Sequence, residues 1–320
     1  MSWNRIRSTI LIFGLMGLLP GLCLGQRLTV PDGVFYYEPA SAVFGSQAAW
    51  VNPAGLAAYK ASSFQFIADY SDREFAKSWG MAVNREQLGF AYRRLDTLGD
   101  NFHSEYVFAA GISLGPQLHV GGSYRYFKEA AGDLHRRHLW NIGLTGGAGN
   151  LRWAAVFENL NRARNTEGRR TETEQRYAVS CRPLGKTLTI SAEMALSTGT
   201  RLSNADYIYH AELATKQGLY LNGCVTSDGA FQLGLRANLL KYFVGSRSSF
   251  ESDGDYGYST LYYGATSIRQ PSIISPKERR LAITVSGSPR ENPPRPIFGP
   301  KRSSFTSLTV SYTHLTLPTN

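Results

Sequence analysis

Bulky apolar residues occupy every second position in a train of short segments between residues 62 and 268. In one such segment Val120 and Tyr124 lie on one side of an extended chain, and Ser123 and Arg125 lie on the other. A period of two indicates extended strands with one apolar and one polar or small face. The pattern repeats about fourteen times with turn residues between the segments, which is typical of a bacterial outer-membrane β-barrel. The sequence therefore predicts an all-β fold, an antiparallel transmembrane β-barrel of about 14 strands.

The connectors between the predicted strands support the same architecture. Long polar connectors such as 96–104 and 160–175 alternate with tight ones such as 115–116 and 216–217, as outer-membrane barrels require. The connector 227–230 breaks this parity because it is short where a long one is expected. An even number of strands leaves both chain ends in the periplasm. The candidate strands are 62–70, 77–84, 86–95, 105–113, 117–127, 138–146, 151–159, 176–183, 187–196, 207–215, 218–226, 231–238, 240–247 and 257–268.

Bulk composition excludes some classes of protein. A mean hydropathy of −0.24 rules out a bundle of membrane helices but allows a barrel, whose inward residues are polar. The net charge of +10 falls to +8 once Arg5 and Arg7 are removed with a leader, and this surplus favours anionic partners. The basic residues do not form one stripe with interleaved aromatic residues, so no nucleic-acid partner is expected.

The N-terminus has the features of an export signal over residues 1–25. Arg5 and Arg7 give the positive start, and an apolar run at 10–19 precedes a small-residue exit at Gly25. The run is too short for a spanning helix. Cys181 and Cys224, the cysteines left after cleavage, fall by strand parity on opposite faces, so no disulfide is predicted.

Residues 26–61 lack alternation and are predicted to form a separate segment. Residues 40–50 suit a short amphipathic helix, and the sequence Asn52-Pro53-Ala54-Gly55 that follows predicts a rigid turn. This block, directly before a strand train of such length, resembles the long-chain fatty-acid transporter (FadL) and PorV-type barrel families over residues 26 to about 270. The resemblance implies that the segment plugs a fourteen-stranded barrel spanning residues 62–268, with Asn52, Pro53, Ala54 and Gly55 as the plug turn.

Composition changes after the last predicted strand. Residues 269–278 suit a linker, and a strand at 279–287 is followed by a Pro-rich stretch at 293–300. This order resembles the opening of a signal peptide peptidase (SppA-type) serine protease domain, with only its truncated start present at 279–309. The family's catalytic Ser and Lys lie further downstream, so no catalytic residue is predicted in this chain. Residues 310–320 resemble a translated sequencing adapter, an artefact to be excluded from fold reasoning.

No enzyme, metal or cofactor motif has the context that its chemistry needs. The sequence Gly111-Ile112-Ser113-Leu114-Gly115 matches a nucleophile elbow, but Pro116 and a strand follow it instead of a helix. A strand end and turn is the better interpretation. No cofactor and no metal site are predicted.

Five arginines fall by parity on the inner face of the predicted barrel. One interpretation is that they pair with inward carboxylates such as Glu158, Glu193 or Glu212. The other is an anion-favouring interior, because rings of arginine set selectivity in pores. The five candidates are Arg93, Arg125, Arg152, Arg182 and Arg236.

Aromatic and basic residues on the outside predict contacts with the membrane. Lipid-side aromatic residues suit interfacial girdles. Basic residues in the longest outer loop suit lipid A phosphates, so outer-membrane lipid and lipopolysaccharide are expected partners. The aromatic set is Phe64, Phe66, Tyr70, Trp79, Trp140, Trp153, Tyr207 and Tyr258, and the basic set is Arg162, Arg164, Arg169 and Arg170.

The sequence leaves two functions open, both in the bacterial outer membrane. The first is a FadL-like channel or binder for hydrophobic small molecules. These molecules would enter between the outer loops and would be released by movement of the plug or by a lateral opening. The second is a PorV-like anchor or docking platform for a periplasmic protein, namely a C-terminal SppA-type protease. A soluble sandwich would have to bury the same apolar faces against a second sheet.

Overall fold

The computed structural model describes residues 38–71, 74–97, 101–129, 136–164, 170, 172–198, 200–268 and 270–273. Four predicted segments lie outside these residues: the export signal, the first twelve residues of the segment 26–61, the protease-like stretch 279–309 and the adapter-like stretch 310–320. Arg169 of the predicted basic loop set also lies outside them. The linker 269–278 is described only in part. No helix in the described ranges is long and apolar enough to cross a membrane.

Fourteen antiparallel strands form a closed barrel. Each strand pairs with its neighbours in sequence, and β1 pairs with β14 to complete the ring. The strands are β1 (Ser63–Ser71), β2 (Glu74–Arg85), β3 (Leu88–Thr97), β4 (Asn101–Ser113), β5 (Leu118–Glu129), β6 (His138–Ala148), β7 (Leu151–Glu158), β8 (Glu174–Cys181), β9 (Leu188–Ser197), β10 (Asp206–Ala214), β11 (Leu219–Thr226), β12 (Phe231–Leu239), β13 (Tyr242–Phe250) and β14 (Tyr256–Thr266).

The predicted strand number and fold class are confirmed. The largest boundary errors occur at the end that carries the longer loops, where β2 begins at Glu74 instead of residue 77 and β4 begins at Asn101 instead of residue 105. The added residues mix polar and apolar side chains, so they break the simple alternation but still continue the ladder of hydrogen bonds, because backbone pairing does not require an apolar pattern.

The two ends of the barrel differ in their connectors. At the tight-turn end the strands are joined by residues 86–87, 114–117, 149–150, 182–187, 215–218 and 240–241. The long-loop end carries the other connectors, including 130–137, 159–173 and 251–255. The connector 227–230 lies at the long-loop end as its position in the chain requires, although it is short, and the connectors 72–73 and 98–100 at the same end are shorter still.

The alternation of side chains is inverted relative to a soluble protein. On β6 the outward Trp140 and Ile142 are exposed, whereas the inward Asn141 is buried. Outward Leu88, Phe108 and Ile112 are 66%, 55% and 56% exposed. The apolar face of the sheet therefore points away from the barrel axis, and the polar face lines the lumen.

The N-terminal segment lies inside the barrel. This segment, which we call the plug, is described from Glu38 to Ala61 and contains a 3₁₀ turn (Gly45–Gln47) and two short helices, α1 (Ala48–Val51) and α2 (Gly55–Ala58). The predicted helix over 40–50 is wrong in extent. Gly45, at φ 70°, begins the helical stretch 45–51, and the pair Asn52-Pro53 separates that stretch from α2.

Strand parity predicts the wrong face for one aromatic residue. It places Tyr258 on the lipid face, but Tyr258 pairs with the inward Ser249 and alternates with the buried Thr260. A bulge shifts the register between Ser249 and Phe250. Tyr258 keeps the regular alternation with the buried Thr260 and Tyr262, so it faces the lumen, and the extra residue of the bulge, Gly257, lies beyond it.

The two cysteines lie on opposite faces. Cys181 is exposed on the outer wall, Cys224 is buried on the inner wall, and both are free thiols. They belong to β8 and β11, which are not neighbours in the sheet.

Candidate functional site

The centre of the plug is the turn at Asn52, which is fully buried. Its side-chain oxygen accepts a hydrogen bond from the Ala54 amide at 3.1 Å, which closes a local turn. Its side-chain nitrogen donates to the carbonyl oxygens of Ala40 at 3.0 Å and of Leu144, on the barrel wall, at 3.3 Å. One side chain thus shapes the turn, joins the two halves of the plug and ties both to β6.

The barrel wall carries a groove of glycines opposite this turn. A Cβ atom at Gly121 would lie 2.3 Å from the carbonyl carbon of Pro53, and one at Gly143 would lie 2.0 Å from the Asn52 oxygen. At Gly111 it would lie 2.9 Å from the Pro53 oxygen. Together with Gly89, which contacts Leu56, these glycines place one opening on each of four consecutive strands, β3 to β6. Only wall positions without side chains allow the plug backbone to lie this close.

Further hydrogen bonds fix the plug to the rest of the ring. The Ala40 amide donates to Glu193 Oε2 at 2.9 Å, and the hydroxyls of Ser41 and Ser180 lie 2.5 Å apart. On the opposite side the Ser46 amide donates to Ser63 Oγ at 2.7 Å. The plug therefore reaches from β9 and β8 across the lumen to β1.

A continuous chain of ion pairs lines part of the lumen; we call it the ion-pair chain. Glu105, fully buried, contacts both Arg93 and Arg125. The guanidinium of Arg125 extends to Glu158 at 3.1 Å, across the intervening strand β6. Glu158 also accepts from Arg176 at 3.3 Å, and Arg176 donates to Glu193 at 2.5 Å.

The ion-pair chain balances its own charge and holds the plug. It contains three arginines and three glutamates, on strands from β3 to β9. Glu193 ends the chain and also accepts the Ala40 amide, so the chain is connected directly to the plug. Buried charges persist in proteins only when such partners compensate them.

A second charged group lies on the opposite wall. Arg236 stacks on the ring of Tyr220, with 4.1 Å between the guanidinium carbon and the ring centroid, and it lies 3.8 Å from Glu212. Burial within the lumen raises the pKa of Glu38, on the plug, to about 7, although the nearby Arg236 and Arg247 favour its charged form.

A cavity of about 580 Å³, which we call the vestibule, lies between the plug and the long-loop end. Its apolar lining includes Trp50 and Val51 of the plug. At its mouth the Thr226 hydroxyl lowers the pKa of Asp228, which keeps that carboxylate charged. The ionisable lining residues are seven acids and three arginines, namely Glu38, Glu158, Glu172, Glu174, Glu193, Asp206, Asp228, Arg93, Arg125 and Arg176.

The five predicted lumen arginines occupy different environments. Arg93 and Arg125 belong to the ion-pair chain, and Arg236 contacts Glu212. Arg152 stacks on Tyr59 of the plug at 4.8 Å, near the tight-turn end, and Arg182 lies just beyond β8 in a tight connector. They therefore do not form one ring of positive charge. The vestibule carries more acidic than basic side chains, which is the opposite of an anion-favouring field.

The sequence reasoning missed Glu105 and Arg176, two central members of the ion-pair chain. The alternation of inward and outward positions along each strand could have identified both residues as inward. Glu105 alternates with Ser104 and Tyr106 and shares the inward side with Val107, and Arg176 shares it with Ala178. Which charged side chains meet across several strands depends on how neighbouring strands are aligned with one another. That register cannot be read from the sequence alone.

No protein-family model and no curated protein matches this sequence. Among solved structures, the chain is similar to a mutant porin of Rhodopseudomonas blastica at 9% identity and a TM-score of 0.39, covering 64% of this chain and 99% of that one. It is also similar to the KdgM porin at 9% identity and a TM-score of 0.36, covering 63% of this chain and 98% of that one. Likenesses this weak carry no argument about function, and the FadL, PorV and SppA resemblances gain no support from them.

The chain's own strand pairing establishes its architecture. The ladder closes between β1 and β14, the outer wall is apolar, and Asn52–Leu56 lies against glycines of the inner wall. The protein is therefore a closed fourteen-stranded antiparallel barrel that contains its own N-terminal segment.

Proposed function

We propose that the barrel is inserted in the bacterial outer membrane. The observation that carries this proposal is the exposed apolar outer wall, which includes Leu221, Leu233 and Leu261 at 51%, 57% and 42% exposure. Soluble monomers rarely expose continuous apolar patches of more than a few hundred Å². A closed barrel leaves no unpaired edge in hydrocarbon, so it can span a bilayer with every strand.

A series of outward aromatic rings supports the same location. Trp79 and Tyr92 have centroids 5.1 Å apart, Tyr92 and Tyr106 lie at 5.0 Å, and Tyr124 and Trp140 also lie at 5.0 Å. These contacts run along neighbouring strands from β2 to β6. Aromatic girdles of this kind mark the boundary between hydrocarbon and headgroups in outer-membrane barrels.

Within that membrane, we infer that the protein acts as an anchor or docking platform, of the kind the PorV-type resemblance implies. The plug is held by wall glycines, by Asn52 and by the ion-pair chain, and these contacts favour a closed lumen. The chain after β14 is also tied to the tight-turn end. Asn238 donates to the Gln270 side chain at 2.6 Å, and the Ile273 amide donates to the Asn238 carbonyl at 3.0 Å. A downstream segment would therefore start from a fixed point on the barrel.

A FadL-like channel for hydrophobic molecules is the second candidate. The position of the vestibule favours this function, because the cavity opens between the long loops and ends at the plug. Its ten ionisable lining residues fit poorly with an apolar ligand, since ligand pockets are mostly apolar with a few polar groups. We therefore rank the anchor first.

The anchor function predicts that the chain end faces the periplasm. An epitope placed after Ile273 should resist protease in intact cells and be digested once the outer membrane is permeabilised. The matched control carries the same epitope at 253–254, in a long-loop connector, and should be digested in intact cells. Digestion of the epitope after Ile273 in intact cells would contradict the proposed orientation.

A flux measurement separates the anchor from the channel. Vesicles containing the barrel should take up labelled long-chain fatty acid no faster than empty vesicles, while a transporter of the resembled family serves as the positive control. Uptake clearly above that of empty vesicles would favour the channel and remove the anchor from first place.

A further inference from the structure

The tight-turn end of the barrel is markedly basic. The structure describes all six tight connectors and the entry segment 59–62. These residues, together with the adjoining Arg85, contain one carboxylate, Glu86, and six basic side chains. We call these six the basic rim: Lys60, Arg85, Arg182, Lys186, Lys216 and Lys241.

The basic rim follows the perimeter of the barrel. Arg182 and Lys186 lie between β8 and β9, Lys216 lies between β10 and β11, and Lys241 lies between β12 and β13. Lys60 precedes β1 and Arg85 ends β2, so the arc continues past the closure of the ring. No ion pair involves these six side chains within the part of the chain that the structure describes. Their charges therefore remain available to an external anion.

Exposed apolar side chains lie directly beside these cations. Leu184, 64% exposed, shares a connector with Arg182 and Lys186. Arg85 pairs with Leu88, which is 66% exposed, and the Lys241 ammonium lies 5.2 Å from the ring centroid of Tyr242. Long basic side chains at the edge of an apolar band extend their charge toward the headgroup layer.

From this arrangement, which rests on the membrane location proposed above, we propose that the basic rim binds anionic phospholipid in the periplasmic leaflet. Its perimeter distribution favours lipid over an acidic protein, because a protein partner would need a compact patch across the barrel mouth. Each phosphate would meet cations at the depth where the apolar wall ends. The attraction should weaken with salt, since exposed charges are screened within about 10 Å at 0.1 M.

The test compares lipid preference in two triple variants. One carries Lys186→Gln, Lys216→Gln and Lys241→Gln, and the matched control carries Lys77→Gln, Lys128→Gln and Arg201→Gln near the long-loop end. Native mass spectrometry measures how much phosphatidylglycerol the barrel retains relative to phosphatidylcholine. Each cation near a membrane surface strengthens binding of anionic lipid by roughly fivefold. The ratio of retained phosphatidylglycerol to phosphatidylcholine should therefore fall on the order of 100-fold in the rim variant and at most a few-fold in the control variant.

The outcomes distinguish this inference from the membrane location itself. Each variant is first checked for heat-modifiable migration, which shows that the barrel has folded. An unchanged lipid ratio in a folded rim variant, or an equal loss in both variants, would overturn the lipid site while leaving the membrane location standing. A rim variant that keeps its lipid ratio but no longer binds soluble polyglutamate would overturn it in favour of an acidic protein partner. Failure of the wild type to insert into bilayers would instead overturn the membrane location.

Discussion

Replacing Gly121 with valine should release the plug and open the barrel to ions. A Cβ atom there would lie 2.3 Å from the Pro53 carbonyl carbon and 2.4 Å from the Ala54 nitrogen. Both are backbone atoms of a turn that Asn52 holds rigid, so a side-chain rotation cannot relieve the overlap. Overpacking of this kind costs roughly 1–3 kcal/mol, which lowers the population of the docked plug by up to about 100-fold.

Single-channel recording in planar bilayers measures the effect. The wild type should be nearly silent, and Gly121→Val should conduct. Gly122→Val is the matched control, because Gly122 is the next residue on the same strand but faces outward, with its nearest other atom 3.8 Å away. Equal conductance of Gly121→Val and Gly122→Val, with both barrels folded, would contradict the docking of the plug in this groove.

A second variant tests the same docking of the plug in case Gly121→Val does not fold. Asn52→Ala keeps the wall intact but removes the hydrogen bonds of Asn52 to Ala40, Ala54 and Leu144. Each unsatisfied buried partner costs about 1–3 kcal/mol. Asn52→Ala should therefore open the channel intermittently, and a silent Asn52→Ala barrel would contradict the central role of this side chain.

Replacing Glu105 with alanine should cause a large loss of stability. The carboxylate is fully buried between Arg93 and Arg125, so its removal leaves two guanidinium groups with reduced compensation in a confined space. Breaking a buried ion pair in this way costs about 3–5 kcal/mol. The midpoint of urea unfolding, followed by tryptophan fluorescence, should fall accordingly.

Two further variants make the Glu105 result interpretable. Glu251→Gln removes a carboxylate from an exposed loop and should change stability by less than about 0.5 kcal/mol. The triple variant Arg93→Met, Glu105→Leu, Arg125→Met removes charge and partners together and should recover much of the loss, since apolar replacement of buried pairs is often neutral. A Glu105→Ala barrel as stable as Glu251→Gln would contradict the importance of the ion-pair chain.

Strand number and facing were predictable because both depend on a local period of two. The alternation at 118–126 and on β6 can be recognised without knowing which strands are paired. In the structure the same residues face inward and outward as predicted. The prediction for Tyr258 was wrong because β14 carries tyrosines on both faces, Tyr262 inward and Tyr263 outward, so the alternation alone does not mark which face meets lipid.

The interior was less predictable because it depends on register and on long-range contacts. Gly121 and Gly143 fall on the inward parity in the sequence, but only the pairing of β4, β5 and β6 shows that they form one groove with Gly111. Arg125 was predicted to face the lumen. Its two partners, Glu105 and Glu158, lie on different strands and are separated from it by 20 and 33 residues in the sequence. The Asn52-Pro53 turn was predicted from local chemistry, whereas its docking against the wall came from a resemblance.

The most direct test of whether the apolar wall faces hydrocarbon is to measure how accessible two neighbouring positions on one strand are to oxygen and to a water-soluble probe. Leu221 is outward and 51% exposed, and Asn222 is inward and 8% exposed. Spin labels would be attached at Leu221→Cys or Asn222→Cys, in a background where Cys181 and Cys224 are replaced by serine, and the barrel reconstituted in lipid vesicles. The label at 221 should collide readily with oxygen, which dissolves in lipid, and rarely with a water-soluble nickel complex, while the label at 222 should collide little with oxygen. Equal accessibility of both labels to the nickel complex, or oxygen accessibility greater at 222 than at 221, would contradict a lipid-facing wall.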